Sequence, residues 1–458
     1  MLVQWHGIHQ QGPAMANRAP FFAAFVGFSL VLMAPAGRAE DQSERIEAAK
    51  VLVARLTANE FAKAVEPFDD TMRRVLPSEA LKSVWEQTSR PYGSFRQITA
   101  TRVETAKEFT IVYVTLTFER GALEAKIAFR SDGRITGFFV VPASKYSPPP
   151  YVQPEAFEEI EMRVGRGFFP LAGTLALPKG DGPFPAVVLV HGSGPHDRDE
   201  SIGPNKPFRD LAQGLASRGI AVLRYEKRTR QYSLVMALRL GALTVREETV
   251  DDAAAAVAAL AAQPKIDARR IYVLGHSLGG TLLPRIAQAS DGVAGFISLA
   301  GSTRPLEDHI LEQTRYLLTL AGPPSDEQAA ALAEIERQVA KVKSPDLSPE
   351  TSITELPLGI APRYWLDLRG YDPAEAAKAI QRPLLILQGE RDYQVTMTDF
   401  ARWKEALQGR SDVRFISYPA LNHLFMTGEG KSSPGEYGVP GNVDEAVVRD
   451  IAEWIQGR

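Results

Sequence analysis

From residue 155 to the C-terminus the sequence predicts an α/β fold: a doubly wound, mostly parallel sheet with a helical insertion, preceded by a small α+β domain. Three observations carry the prediction. Short apolar runs at 186–190, 220–225, 271–274, 296–300 and 383–388 have the length of buried strands and alternate with helix-length stretches. Between residues 303 and 381 that rhythm stops, and two helical patterns, at 306–320 and 326–342, take its place. Ahead of a proline cluster at 148–150 the order changes again, with helices first and strands after. A chain of 458 residues is too long for one ordinary domain. Its 45% hydrophobic and 23% charged content is that of a soluble globular protein.

In chain order, residues 1–39 read as a signal peptide. Arg18 precedes an apolar run over 19–34, and Gly37 and Ala39 stand three and one before a cut at Glu40. The alternative is a retained anchor, for which the run is short; Met15 offers a second start. The expected location is periplasmic or secreted, with no stable membrane span once the signal is removed. Residues 42–145 form a separate α+β unit. Ile46, Ala49, Val53 and Leu56 recur at helical spacing and a second helix covers 78–88. Strands follow at 101–104, 110–118, 125–129 and 135–141, with Asp132-Gly133 turning between the last two. Residues 146–154, with three consecutive prolines from Pro148, read as a stiff linker.

The segments 159–164 and 171–177 open the larger sheet as an antiparallel pair. The run at 271–274 then enters Gly275-His276-Ser277-Leu278-Gly279. Glycines on both sides permit a tight strand-to-helix reversal, so the Ser277 hydroxyl projects from the turn. The Leu278 N–H, opening the next helix, points towards where an oxyanion would form. Asp392, in Gly389-Glu390-Arg391-Asp392, and His423, in Leu421-Asn422-His423, each follow a strand end, where open parallel sheets gather their ligands. Upstream, the strand at 186–190 leads into His191-Gly192-Ser193-Gly194-Pro195.

Serine, aspartate and histidine in this order, behind a His-Gly loop, resemble the α/β-hydrolase superfamily over about residues 155–458. The resemblance implies an α/β-hydrolase fold with Ser277 as nucleophile, His423 as general base and Asp392 as the acid that orients it. It also implies an oxyanion hole built from the N–H groups of Ser193 and Leu278, and a helical cap at 303–381. Esterases, dienelactone-hydrolase-like proteins and serine-aminopeptidase-like proteins are the similar members. Residues 42–145 resemble the small domain of uncharacterised function that precedes some bacterial secreted α/β-hydrolases, and in outline are similar to nuclear-transport-factor-like cones.

Several residues leave alternatives open. Glu390 competes with Asp392 as the acid. His276 reads as structural, and His191 and His196 as residues that pack their own loop. Tyr364 and Trp365, in the cap, either line the pocket or pack cap against body. The basic stretch from Arg224 to Arg230 either receives a substrate carboxylate or pairs with acids such as Asp197 and Asp199. Pro284, inside the helix after Ser277, should cost a backbone hydrogen bond and kink it. The absence of cysteine excludes disulfides and a thiolate nucleophile, and the scattered histidines have no metal-ligand spacing. No cofactor is expected, and a formal charge of −3 gives no reason to expect nucleic acid. The expected reaction is cleavage of a small-molecule carboxylic ester through an acyl-enzyme on Ser277. The same groups would serve a peptidase or thioesterase, and a non-catalytic binding protein on this fold is the third reading.

Overall fold

The computed structural model describes residues 37–458, except 107–108, 119–120, 143–145, 239–242 and 321. The expected signal sequence before Gly37 lies outside the described residues, and the expected cut falls in the first turn of the first helix, Gly37–Thr57. Among the described residues no helix is long and apolar enough to cross a membrane.

The N-terminal unit is built as its pattern demands. The first helix turns Leu52, Val53 and Leu56 towards an antiparallel sheet of β1 (Phe95–Ala106), β2 (Phe109–Phe118), β3 (Gly121–Phe129) and β4 (Ile135–Pro142), in that order. There they pack with Val112, Val114, Leu116, Ile127 and Phe129. Helix Ser78–Ser89 adds Leu81 and Trp85. This core shares no residue with the cores of the larger sheet.

The larger sheet has eight strands: β5 (Phe157–Val164), β6 (Leu171–Pro178), β7 (Phe184–Val190), β8 (Ala221–Tyr225), β9 (Ile266–His276), β10 (Val293–Leu299), β11 (Leu384–Gly389) and β12 (Val413–Tyr418). Their spatial order is β12-β11-β10-β9-β7-β8-β6-β5. β5 and β6 pair antiparallel, as does β6 with β8; every other pairing is parallel. The central strands are apolar on both faces because both are covered. Helices Pro207–Ala216 and Glu445–Gln456 pack on one face, and helix Asp251–Ala261 with the cap packs on the other. The cap runs between β10 and β11 and contains helices Leu306–Thr319, Asp326–Lys343, Pro362–Leu368 and Pro373–Ala377.

Residues 146–154 are more than a spacer. The Tyr151 hydroxyl donates to Val443 O (2.7 Å), Gln153 N–H donates to Ser217 Oγ (2.8 Å), and Val152 is buried beside Phe157 and Phe208. Gly214 makes room for this, since a Cβ there would lie 2.8 Å from the Tyr151 ring. The prolines stiffen the backbone, but the apolar residues after them find a groove between two helices, so this stretch belongs to the larger domain. Pro284 behaves as its chemistry requires: the helix divides into Leu278–Thr281 and Leu283–Ala289. The Thr281 carbonyl at the break accepts the Tyr371 hydroxyl (2.9 Å).

Candidate active site

β9 delivers Ser277 at φ 51°, ψ −116°, a left-handed backbone position that costs a non-glycine residue about 1–3 kcal/mol. Close backbone approach enforces it. A Cβ on Gly275 would stand 2.3 Å from Gly279 C, and one on Gly279 would stand 2.4 Å from Val190 O. The two motif glycines therefore let the turn fold onto itself and onto the end of β7. Ser277 N–H donates to Leu299 O (2.9 Å), tying the turn to β10.

Asp392 and His423 follow β11 and β12 and meet: His423 Nδ1 donates to Asp392 Oδ2 at 2.6 Å, with both residues buried. Asp392 Oδ1 accepts the backbone N–H groups of Gln394 (2.7 Å) and Val395 (3.0 Å), and Gln388 Nε2 donates to Oδ2 (3.2 Å). With Nδ1 bound as a donor, the other ring nitrogen, Nε2, carries the lone pair that can accept a proton. Glu390 points elsewhere and accepts from Ser417 Oγ (2.8 Å) at the exposed sheet edge. Among the described residues no hydrogen bond joins Ser277 Oγ to His423. Such contacts are commonly long before substrate binds.

The neighbouring histidines divide as the sequence suggested, with one addition. His191 Nε2 donates to Asp197 O (3.0 Å), and burial pulls its pKa down to about 3. His196 Nε2 lies 2.7 Å from Ser193 O. His276 does more than fill the turn. Its Nε2 meets His423 O at 3.0 Å, its Nδ1 lies 2.9 Å from Glu200 Oε2, and its ring stands 4.8 Å from that of His423. Nε2 meets a carbonyl and Nδ1 stands at ion-pair distance from a carboxylate, an arrangement that favours the charged ring. Burial disfavours that charge, but the Glu200 carboxylate outweighs it and the His276 pKa is raised. Glu200, itself buried, also accepts Gly192 N–H at 2.7 Å. Nothing local in the sequence marks Glu200 for this place.

Two cavities meet at Ser193 and Leu306. The smaller, about 60 Å³, contains Ser277, Leu278 and Ser193 beside Gln313, Tyr371 and Val395. The larger, about 250 Å³, is mainly apolar, with walls from Met236, Leu243, Ile310, Leu358, Ile360 and Tyr364. Of the two cap aromatics, only Tyr364 lines this space; its hydroxyl donates to Glu248 Oε2 (2.8 Å). Trp365 is a correction. It turns away, is 1% exposed, donates Nε1–H to Ile360 O (3.2 Å) and borders a different cavity. Adjacent positions on a helix face about 100° apart, so one aromatic reaches the pocket and its neighbour fills the core. Three of the four cations of the basic stretch pair internally, Arg224 with Asp199 and Glu159, Lys227 with Glu248, and Arg228 with Asp252, while Arg230 is exposed. Asp199 is thus one of its acids, while Asp197 is absent from these pairs.

Residues 187–437 match the alpha/beta hydrolase family profile. Esterase EstD of Thermotoga maritima is 40% identical over 407 residues, which is 88% of this chain and 94% of that protein. The chain belongs to the alpha/beta hydrolase family. This α/β-hydrolase is an enzyme, a hydrolase. Residues 49–138 match a second family, described as a protein of unknown function (DUF3887). Among solved structures, Est1E from Butyrivibrio proteoclasticus is 15% identical, with a TM-score of 0.42, over 65% of this chain and 99% of that one. The acylaminoacyl peptidase of Pyrococcus horikoshii is 17% identical, with a TM-score of 0.46, over 79% of this chain and 56% of that one.

Proposed function

We propose that this α/β-hydrolase cleaves carboxylic esters through an acyl-enzyme on Ser277. The observation that carries the reading is the 2.6 Å bond from His423 Nδ1 to Asp392, made at the strand ends beside the strained Ser277 turn. Ser277 Oγ attacks the ester carbonyl while His423 Nε2 takes its proton. The carbonyl oxygen becomes an oxyanion held by the N–H groups of Leu278 and Ser193. Collapse breaks the C–O bond to the alcohol, which leaves with the proton from His423. Water then attacks the acyl-enzyme by the same route in reverse, and the acid and free Ser277 are regenerated. The mainly apolar walls of the 250 Å³ cavity favour an uncharged hydrocarbon acyl arm. The relative EstD, an esterase by name, supports ester over amide.

The test combines labelling with turnover. A fluorophosphonate should attach to Ser277 and to no other serine, and Ser277→Ala should abolish hydrolysis of p-nitrophenyl esters while leaving the fold intact. Labelling of another serine, read by peptide mass spectrometry, overturns the assignment. Turnover of aminoacyl p-nitroanilides above that of the esters would make the enzyme a peptidase. We further propose export, with a mature N-terminus near Glu40; an uncut N-terminus recovered in a membrane fraction would overturn it.

A further inference from the structure

Lys227 is one of the largest fully buried side chains in the described residues, and its position ties two parts of the site together. Its Nζ donates to Gly192 O at 2.6 Å and lies 3.2 Å from Glu248 Oε1. Gly192 O belongs to the peptide unit that also carries the N–H of Ser193. That unit is planar and trans, so its C=O and N–H point in opposite directions. A lysine fixed on the carbonyl therefore fixes where the Ser193 N–H points.

The need for such a lock follows from Gly192. A Cβ there would stand 3.1 Å from Ser277 Cβ, so the position favours glycine. Glycine has the widest backbone freedom, and the peptide after it can rotate. The preceding peptide is held by Glu200 on the Gly192 N–H; the following one is held by Lys227. The charge on Lys227 also polarises this peptide towards a stronger N–H donor in a poorly screened interior.

We infer that Lys227 is a positioning residue for the oxyanion hole, locking the Gly192–Ser193 peptide so that its N–H faces the developing negative charge. The inference rests on the acyl-enzyme reading above. The buried Lys227–Glu248 pair need not help folding, because such pairs commonly stabilise no better than apolar replacements. Glu248, held by the Tyr364 hydroxyl in the wall of the apolar cavity, balances the lysine and brings its charge within reach of the loop.

An oxyanion donor acts in the transition state and little in the ground state, which separates this role from plain packing. Lys227→Met, and the double variant Lys227→Met/Glu248→Gln that leaves no unpaired carboxylate, should lose about 30- to 1,000-fold in kcat with KM within about threefold. The affinity for an alkyl boronic acid, which mimics the tetrahedral intermediate, should fall in parallel, while the double variant keeps its melting temperature. A folded double variant with kcat within threefold of the wild type overturns the inference, as does a loss that falls on KM. Should both variants fail to fold, the wild-type enzyme labelled by a fluorophosphonate decides by its crystal structure. The phosphonyl oxygen is expected within hydrogen-bond distance of Ser193 N–H, with Lys227 still on Gly192 O. Attachment to Ser277 with that oxygen turned away overturns this inference alone; failure to label Ser277 overturns the acyl-enzyme reading itself.

Discussion

Asp392 and Glu390 stand two residues apart in one turn, yet they share no hydrogen-bond partner. Asp392 is buried and satisfied by two backbone N–H groups, Gln388 and His423; Glu390 reaches back to Ser417 at the sheet edge. Asp392→Asn, which presents the wrong partner to Nδ1, should lower kcat on the order of 10⁴-fold. Glu390→Gln should leave kcat within about twofold. The reverse result in steady-state kinetics would move the acid to Glu390. The order of Ser277, Asp392 and His423 was legible because each follows a strand, and strand ends converge in a parallel sheet. Glu200 and Lys227 were not, because what matters for them is the tertiary fold of a loop back onto Gly192, and no periodicity records that.

At the scale of elements, helix Pro362–Leu368 shows why a pattern alone could not assign Tyr364 and Trp365. Trp365→Ala should cost about 3–5 kcal/mol of stability, measured by denaturant unfolding, and lower turnover of all esters alike. Met236→Trp, by contrast, fills part of the apolar cavity. It should lower kcat/KM for an octanoyl ester about tenfold or more relative to an acetyl ester, a ratio that stays unchanged if acyl chains bind elsewhere. The loop that carries Gly192 should also be sensitive to acid. Burial holds the His191 pKa at about 3, against about 6.5 in the unfolded chain. The unfolded state thus binds this proton first. Its contribution to stability is complete above pH 6.5 and is lost as the pH falls towards 3. Replacing His191 by Gln, which keeps a side-chain donor for Asp197 O, should flatten the decline of melting temperature between pH 6.5 and 4; an unchanged slope would assign the acid sensitivity to other groups.

For the whole molecule, the fold class was readable from strand rhythm, and the cap from its interruption. The domain boundary was misplaced by one small segment, because proline content announces stiffness but says nothing of where Tyr151 and Val152 pack. The N-terminal core shares no residue with the other cores, so a chain starting at Tyr146 should fold and hydrolyse a short activated ester at close to the full-length rate. A chain starting at Pro154 lacks the half-buried Tyr151 and the buried Val152 and should be less stable by about 2–4 kcal/mol. Equal melting temperatures for the two truncations would show that Tyr151 and Val152 contribute nothing. A folded but inactive protein starting at Tyr146 would mean that the first domain helps form the pocket.

With Ser277 as the proposed nucleophile, its left-handed torsion sets catalysis and thermal endurance against each other at one position. Alanine there removes the hydroxyl and keeps the unfavourable backbone geometry; glycine removes both. Ser277→Gly should therefore unfold at a higher temperature than Ser277→Ala, by the relief of strain less the extra freedom glycine gives the unfolded chain, a net of about 1 kcal/mol. Selection for heat resistance alone, with no demand for turnover, would drift towards that glycine and silence the enzyme in doing so.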